Sequence, residues 1–160
     1  MKVLFCTDGS EGALKALRRG ARWLRGAGAQ ACVLYVVPEL DERFRHYERL
    51  HEAELQDIER IFGDRGPGAE VLAQAREVLG REDLEATRKV RTGDPAEEIL
   101  AEVREGGYDL VVLASRGHSR IERFLLGSVS QRVCEAAESS VLIVKPRAGE
   151  GEGHGGARRR

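Results

Sequence analysis

The sequence predicts an α/β fold, namely a single doubly wound, Rossmann-like domain with a five-stranded, mostly parallel sheet and helices on both faces. Short apolar runs alternate along the chain with segments whose apolar residues recur at helical spacing, which is the pattern of a parallel sheet with right-handed crossovers. The run at 110–114, Leu-Val-Val-Leu-Ala, is unbroken and apolar, as is typical of a parallel strand covered on both faces. A length of 160 residues, 41% of them hydrophobic and 33% charged, fits one globular domain.

The first strand is predicted at residues 3–6, an apolar run that stops at the turn-forming residues 7–10. A helix follows, and a glycine-containing stretch at 26–28 ends it. The inner face of this helix consists of Leu14, Leu17, Ala21 and Leu24. Residues 31–37, rich in β-branched and aromatic side chains, predict the second strand, which Pro38 closes.

The middle of the chain predicts helical structure interrupted by glycine. Residues 41–62 are strongly charged around a few apolar positions, and the glycine-rich stretch at 63–68 breaks the pattern. A second apolar face then recurs at helical spacing, formed by Val71, Leu72, Ala75, Val78 and Leu79. The region is therefore one long broken helical excursion or two helices. Residues 84–90 predict a third strand, polar on alternate residues as an edge or half-exposed strand would be.

Two more strand and helix pairs are predicted in the last third of the chain. Asp94 occupies the N-cap of a helix and Pro95 its first position, which are the places that these residue types favour. Residues 108–114 predict the fourth strand, and a polar, arginine-rich loop leads from it to a helix that begins at about Gly127. Residues 141–144, Val-Leu-Ile-Val, predict the last strand.

The composition excludes several classes of function. A formal net charge of −1 argues against a general nucleic-acid binder, which needs a clear basic excess. No apolar run reaches the roughly 18 residues that a transmembrane helix requires, so we expect no membrane partner. The start of the chain turns acidic too soon for a secretory signal, which predicts a cytoplasmic location. The three cysteines are widely spaced and form no CxxC pair, and the histidines show no metal-ligand spacing, so no protein-held metal site is expected.

In an open parallel sheet, ligands bind beyond the carboxyl ends of the strands, where the strand order reverses. Three segments follow predicted strands and should therefore converge on one rim of the sheet: residues 7–9, 36–38 and 114–117. Glycine pairs at 26–28 and 106–107 instead join a helix to the next strand, which places them at the opposite end. Their expected role is the termination of helices.

The loop at 114–130 contains the parts that an anion site needs. Gly117 allows the backbone to approach a ligand closely. Gly127 and Ser128 stand where the next helix begins, so that free backbone N–H groups and the helix dipole can face an anion. Two alternatives are open on these residues: a phosphate site to which Ser128 and Ser130 add hydroxyl donors, or a helix start that Ser128 merely caps.

The spacing of this loop resembles that of the universal stress protein family, whose nucleotide-binding members carry G-x2-G-x9-G-[ST] after the fourth strand. Here the pattern reads Ala114-x2-Gly117-x9-Gly127-Ser128, so the spacing is kept and the first glycine is replaced by alanine. A methyl group at that position narrows the approach to the ribose or adenine. There is no GxxxxGK[ST] motif, which argues against a P-loop NTPase.

The resemblance extends to the first strand with its Asp-Gly-Ser turn at 8–10, and to the segments 93–99 and 140–146. It therefore implies one universal-stress-protein-like nucleotide-binding domain at 1–146. Residues 147–160 are mostly Gly, Glu and Arg without an apolar anchor, and they predict a disordered tail.

The resemblance also implies an adenine nucleotide as ligand, ATP or else ADP or AMP, with Mg²⁺ or Mn²⁺ bound through its phosphates. The residues that it places in the site are Thr7 and Asp8 at the adenosine end, Val36 at the adenine, Ala114, Gly117 and His118 at the ribose and phosphate side, and Gly127, Ser128, Val129 and Ser130 at the phosphates. Arg116 adds positive charge beside the loop. His118 either donates to a phosphate or is an exposed loop residue.

The predicted function is that of an ATP-binding or adenine-nucleotide-binding universal stress protein, which acts as a regulatory or stress-response module. No general base is paired with a nucleophile, so no catalytic residue is assigned. Two alternatives are a slow ATPase or phosphotransferase, and an assembly module that binds no nucleotide. A homodimer is expected through the strand at 141–144, by resemblance to the family and because an apolar edge strand invites strand addition, and a higher oligomer is compatible with this.

Overall fold

Among the described residues, four largely apolar segments and one segment of alternating polarity form strands, and four segments with an apolar face form helices around them. The computed structural model describes residues 1–38, 68–116 and 126–145. Its strands are β1 (Lys2–Thr7), β2 (Gln30–Val37), β3 (Ala86–Thr92), β4 (Leu110–Ala114) and β5 (Ser140–Val144). Its helices are α1 (Glu11–Leu24), α2 (Ala69–Gly80), α3 (Pro95–Gly106) and α4 (Ser128–Ala136).

The strands form one sheet in the order β3-β2-β1-β4-β5, and every pair of neighbours is parallel. The chain thus runs outward from β1 to β3 and then crosses back to β4, so the strand order reverses between β1 and β4. The predicted fold class is confirmed, and the sheet is wholly parallel rather than mostly so. β3 lies at one edge, as its alternating polarity predicts, and β5 lies at the other.

Each face of the sheet is covered by its own apolar cluster. One cluster joins the sheet to α1 and α2 around Phe5, Leu17 and Leu79, and the other joins it to α3 and α4 around Leu4 and Ile99. Burial on both faces is what makes the inner strands continuously apolar in sequence. Gly20 shows how closely α1 packs, because a Cβ built there would stand 2.8 Å from a methyl carbon of Val112 on β4.

The helix boundaries follow local signals in the sequence. Ser10 caps α1 by accepting a hydrogen bond from the N–H of Ala13, and Asp94 caps α3 in the same way from Glu97. Gly107 ends α3 in the left-handed conformation, with φ +60°. The predicted N-cap at Asp94 and the predicted helix-ending role of glycine 107 are confirmed.

Some strand boundaries differ from the prediction. β3 begins and ends two residues later than the predicted strand at 84–90, because Leu84 turns inward and is buried before the strand starts. Tyr108 is likewise buried but precedes β4. The predicted helical excursion at 41–62 and the predicted tail at 147–160 lie outside the described residues. None of the helices that are described is both long and apolar enough to cross a bilayer.

Candidate functional site

The carboxyl ends of β1, β2, β3 and β4 meet at one rim of the sheet because all these strands are parallel. β1 leads into a tight turn there, in which the hydroxyl oxygen of Thr7 accepts a hydrogen bond from the N–H of Gly9 at 3.1 Å. The carboxylate of Asp8 accepts one from the N–H of Ser10 at 2.9 Å. The turn therefore holds Thr7 and Asp8 in place at the rim.

Gly9 makes this turn possible. Its φ is +80°, a conformation that side chains disfavour, and a Cβ there would stand 2.9 Å from a methyl carbon of Val71 on α2. Glycine therefore lets α2 approach the turn, and the Asp-Gly-Ser sequence has a structural reason apart from any ligand.

The amino-terminal end of α4 lies beside the end of β4 on the same rim. Gly127 occupies the N-cap, with φ −65° and ψ 158°, and no side chain among the described residues caps the helix. The first N–H groups of an α-helix have no acceptor within the helix, so those of Ser128, Val129 and Ser130 are the donors that this end offers. Ser128 is exposed and is the first helical residue rather than the cap. The capping role that one alternative gave to Ser128 therefore falls to Gly127.

The carbonyl oxygen of Ser115 fixes the position of this helix end. It accepts a hydrogen bond from the N–H of Gly127 at 2.8 Å and lies 2.9 Å from the hydroxyl oxygen of Ser130, which donates to it or to the carbonyl oxygen of Gly127. The N–H of Ser115 in turn donates to the carbonyl oxygen of Val144 on β5 at 3.1 Å. One peptide segment thus joins β4, β5 and α4. The hydroxyl of Ser130, predicted as a phosphate donor, is used inside the protein.

The predicted adenine and ribose positions lie on opposite faces of the sheet. Val36 is buried in the cluster that involves α3 and α4, whereas Ala114 is half-buried and packs against the cluster of α1 and α2. Val129 is half-buried against the first of these two clusters, the one that involves α3 and α4. Ala114 therefore directs its methyl group into the core, where it has a packing role.

Arg116 follows Ser115 directly and is half-buried. A Cβ built on Gly127 would stand 3.5 Å from the Cα of Arg116, so the backbones on either side of the loop approach each other closely. Gly117 and His118 lie outside the described residues. The structure thus brings Thr7, Asp8, Arg116 and the start of α4 to one rim, and it leaves the middle of the loop undescribed.

Two residues of the rim, Ser115 and Arg132, were not predicted from the sequence. Ser115 was missed because its role is played by backbone atoms, which carry no residue-specific signal. Arg132 was missed because its partner is distant in sequence: it contacts the N-cap carboxylate of Asp94 at 3.0 Å and also pairs with Glu97, tying α4 to the start of α3. The helical position of Arg132, one turn beyond Ser128, could have suggested it.

The N–H groups at the start of α4 are donors that suit an anion. Across residues 1–38, 68–116 and 126–145, no three His, Cys, Asp or Glu side chains come together as a metal site would require. A divalent cation at this rim would therefore take its oxygens chiefly from a bound phosphate and from water.

Comparison with known proteins identifies relatives along almost the whole chain. The sequence pattern of the universal stress protein family matches residues 1–145. Universal stress protein YxiE of Bacillus subtilis is 30% identical over 145 residues, which cover 90% of this chain and 98% of that protein. The structure of universal stress protein MJ0577 of Methanocaldococcus jannaschii superposes with a TM-score of 0.69 at 24% identity, over 92% of this chain and 96% of that one.

Two other solved structures of similar fold contain adenine nucleotides. A universal stress protein in complex with cAMP has a TM-score of 0.66 and 23% identity, and it covers 90% of this chain and 96% of its own. A universal stress protein family protein from Arabidopsis thaliana with AMP bound has a TM-score of 0.63 and 18% identity, over 96% and 97%. At these identities the structural likeness establishes the fold.

Proposed function

Because this chain belongs to the universal stress protein family, we propose that it binds an adenine nucleotide at the carboxyl rim of its sheet and acts as a regulatory or stress-response module. The observation that carries the proposal is the start of α4, where an N-cap glycine leaves the first N–H groups uncapped by any described side chain. Such a helix end attracts phosphate through its donors and its dipole. The cAMP and AMP complexes of similar proteins support the choice of an adenine nucleotide.

In this proposal, different residues of the rim contact different parts of the nucleotide. The backbone N–H groups of Ser128 and Val129 and the exposed hydroxyl of Ser128 hold the phosphates, with Arg116 supplying charge. Ser130 positions the helix start through Ser115.

Thr7 and Asp8 lie at the adenosine end, and Val36 offers its backbone to the adenine because its side chain is committed to the core. Ala114 borders the ribose side without directing its methyl group at it. Gly117 and His118 are included in the proposed site on the basis of the sequence motif alone.

The ligand is ATP, or ADP or AMP, and a Mg²⁺ or Mn²⁺ ion accompanies the phosphates. The donor set fits phosphate oxygens, and the described residues offer no carboxylate cluster that would hold the cation by itself. The three cysteines are free thiols, two of them buried, which supports a reducing, cytoplasmic location. The domain extends over 1–146 in this proposal.

A homodimer through β5 completes the proposal. β5 is an edge strand, and its side chains Val141, Leu142 and Ile143 are only half-buried in the single chain. An edge strand of this kind is a template for pairing with a second copy.

The replacement Gly127→Asp tests the phosphate site. Gly127 has the extended backbone of an N-cap, and a side chain there has room, since its Cβ would stand 3.5 Å or more from every neighbour named for it. An aspartate cap occupies the first-turn donors and adds negative charge, so we expect retained folding stability but at least tenfold weaker binding of ATP in calorimetry. Binding of adenosine should change much less, because it has no phosphate.

The matched control is Gln30→Asp, which adds the same charge at an exposed position at the start of β2, at the other end of the sheet. It should leave ATP affinity unchanged. Equal ATP binding by the wild type and Gly127→Asp would contradict the phosphate site. If ATP, ADP and AMP give no heat with or without Mg²⁺, the chain is an assembly module instead. Turnover in highly purified protein that is lost in Ser128→Ala would identify a slow ATPase.

A further inference from the structure

An open cavity of about 660 Å³ lies between α1 and the end of α2, far from the proposed nucleotide site. The second half of α1 and the turn between α2 and β3 form it, and both lie at the amino ends of the strands. Four of the six residues that line the cavity are arginines: the lining consists of Arg18, Arg22, Arg25, Val78, Arg81 and Glu82. We refer to it as the arginine cavity.

The spacing of the α1 arginines directs them to one side. Residues at i, i+4 and i+7 lie on one face of a helix, so Arg18, Arg22 and Arg25 project together toward α2. All three reach the carboxylate of Glu82, whose side chain is only 6% exposed: two Nε atoms lie 3.0 Å from the same oxygen, and Arg25 contacts the other oxygen at 3.0 Å.

A structural tie between α1 and the turn does not need this many cations. One arginine can satisfy both oxygens of a carboxylate with two parallel hydrogen bonds. Here three guanidinium groups crowd around one carboxylate, and each of the three side chains is still 51–57% exposed. Their mutual repulsion is a cost that an anion in the cavity would relieve.

The acids at the margin of the cavity do not remove the excess charge. Arg81 pairs with Glu77 at 2.5 Å, and Arg25 has a second contact with Asp83 at 3.4 Å. The four guanidinium groups that line the cavity thus face three carboxylates, those of Glu77, Glu82 and Asp83. The bonds of Arg18 and Arg22 to Glu82 use their Nε atoms, so this carboxylate does not engage the terminal nitrogens, and in the described part of the chain these nitrogens can meet a ligand.

We propose that the arginine cavity is a second anion site, which binds a small oligophosphate. Guanidinium groups match phosphate oxygens with paired hydrogen bonds, and Glu82 holds them in position beforehand, which lowers the entropy lost on binding. Val78 is the one apolar residue of the lining, so the cavity offers no surface on which a purine base could be buried. The ligand is therefore dense in charge, of the pyrophosphate or tripolyphosphate type, whether free or as the phosphate chain of a nucleotide.

Calorimetry with tripolyphosphate tests the proposal in the Gly127→Asp background, in which the start of α4 is closed to anions. We expect one tripolyphosphate to bind per chain, with an affinity that falls as ionic strength rises. Adding Arg22→Gln should weaken the binding of tripolyphosphate at least tenfold. Glu82 keeps its other two arginine partners in this variant, so we expect the fold to be retained, which thermal melting would verify. ATP and adenosine, titrated in parallel, distinguish a free oligophosphate from the phosphate chain of a nucleotide.

Arg19→Gln is the matched control, since it removes one charge from the same helix outside the cavity. The guanidinium of Arg19 stacks 5.5 Å from the ring centre of Trp23 and donates to the carbonyl oxygen of Lys145 instead. It should leave tripolyphosphate binding unchanged. Absence of binding in the Gly127→Asp background, or equal losses for Arg19→Gln and Arg22→Gln, would overturn the proposal. Because ATP binding to the wild type at the start of α4 is measured separately, failure of either site is recognised independently of the other.

Discussion

At the scale of single residues, the hydroxyl of Ser130 has a role that its sequence position does not reveal. It is buried, and it donates to the carbonyl oxygen of Ser115 or to that of Gly127, each 2.9 Å away, rather than pointing out of the helix end. The phosphate-binding donors in the proposed site are then the backbone N–H groups, whose direction depends on that bond. In the proposed site, Ser130 therefore acts on the ligand through Ser115.

We expect Ser130→Ala to lower the free energy of unfolding by about 1 kcal/mol, the usual contribution of such a hydrogen bond. The same change should weaken ATP binding by about fivefold, because the start of α4 is less well fixed. Urea unfolding and calorimetry measure the two effects. Ser130→Thr retains the hydroxyl and should restore both. Undiminished ATP affinity in a destabilised Ser130→Ala protein would show that the bond serves folding alone.

At the scale of secondary-structure elements, buried acids join helices to strands. Glu102 on α3 is fully buried, and its carboxylate contacts Lys89 at 2.8 Å and Arg91 at 2.8 Å on β3, and the hydroxyl of Tyr108 at 3.0 Å. Burial is the main reason that the pKa of Tyr108 lies above its usual range, and the neighbouring Cys32 and Glu102 raise this pKa further. This network fixes α3 against the edge strand β3.

We expect Glu102→Gln to destabilise the protein by about 2 kcal/mol, because the change weakens the charge-assisted hydrogen bonds that the fully buried carboxylate accepts from Lys89 and Arg91. Glu105→Gln is a matched control, since Glu105 pairs with the same Arg91 at 2.9 Å but is 62% exposed. It should have little effect. Urea unfolding measures the loss of stability in both variants. Equal destabilisation would show that the effect does not depend on the burial of the acid.

The tie between α1 and the turn after α2 predicts a pH dependence. Hydrogen bonding by Arg22, followed by that from Arg18, lowers the pKa of Glu82 below its ordinary value. Its stabilising contribution is thus complete above the unfolded-state pKa of about 4.3 and is lost as the pH falls through the lower folded-state value. We expect Glu82→Gln to be less stable than the wild type at pH 7 and to lose less stability between pH 5 and pH 3. Parallel acid slopes for the two proteins would contradict this.

The elements were largely predictable because their signals are local. Asp94 and Pro95 mark a helix start within two residues, and the apolar run of β4 identifies a strand without reference to the rest of the chain. The buried acids Glu82 and Glu102 were not predictable, since their basic partners are 11 to 64 residues away. In the rim, Gly127 was predictable from spacing, whereas the bonds of Ser115 depend on how the strands meet.

At the scale of the whole molecule, the order of the strands decides which surfaces are left to partners. β3 and β5 are the two edges, but β3 carries charged residues such as Lys89 and Arg91, whereas β5 carries valine, leucine and isoleucine. Charged edges resist strand addition and apolar edges favour it. The asymmetry supports the proposed pairing of β5 with a second copy.

We expect sedimentation velocity at micromolar concentration to show a dimer, and Ile143→Lys to shift it toward the monomer by placing a charge in the half-buried middle of the edge. Thr87→Lys adds the same charge to the opposite edge and should leave the dimer intact. Thermal melting checks that each variant folds. A wild-type monomer, or a Thr87→Lys variant that dissociates as readily as Ile143→Lys, would contradict the proposal.

The peptide segment at Ser115 gives the molecule a short route for communication. Its N–H is bonded to the last residue of β5, and its carbonyl oxygen is bonded to the cap of α4, so no hinge or long chain of side chains separates the two. An anion that steadies α4 will also steady the end of the edge strand. For the proposed nucleotide and the proposed β5 dimer, thermodynamic linkage then requires reciprocity: any factor by which the nucleotide tightens self-association equals the factor by which self-association tightens nucleotide binding.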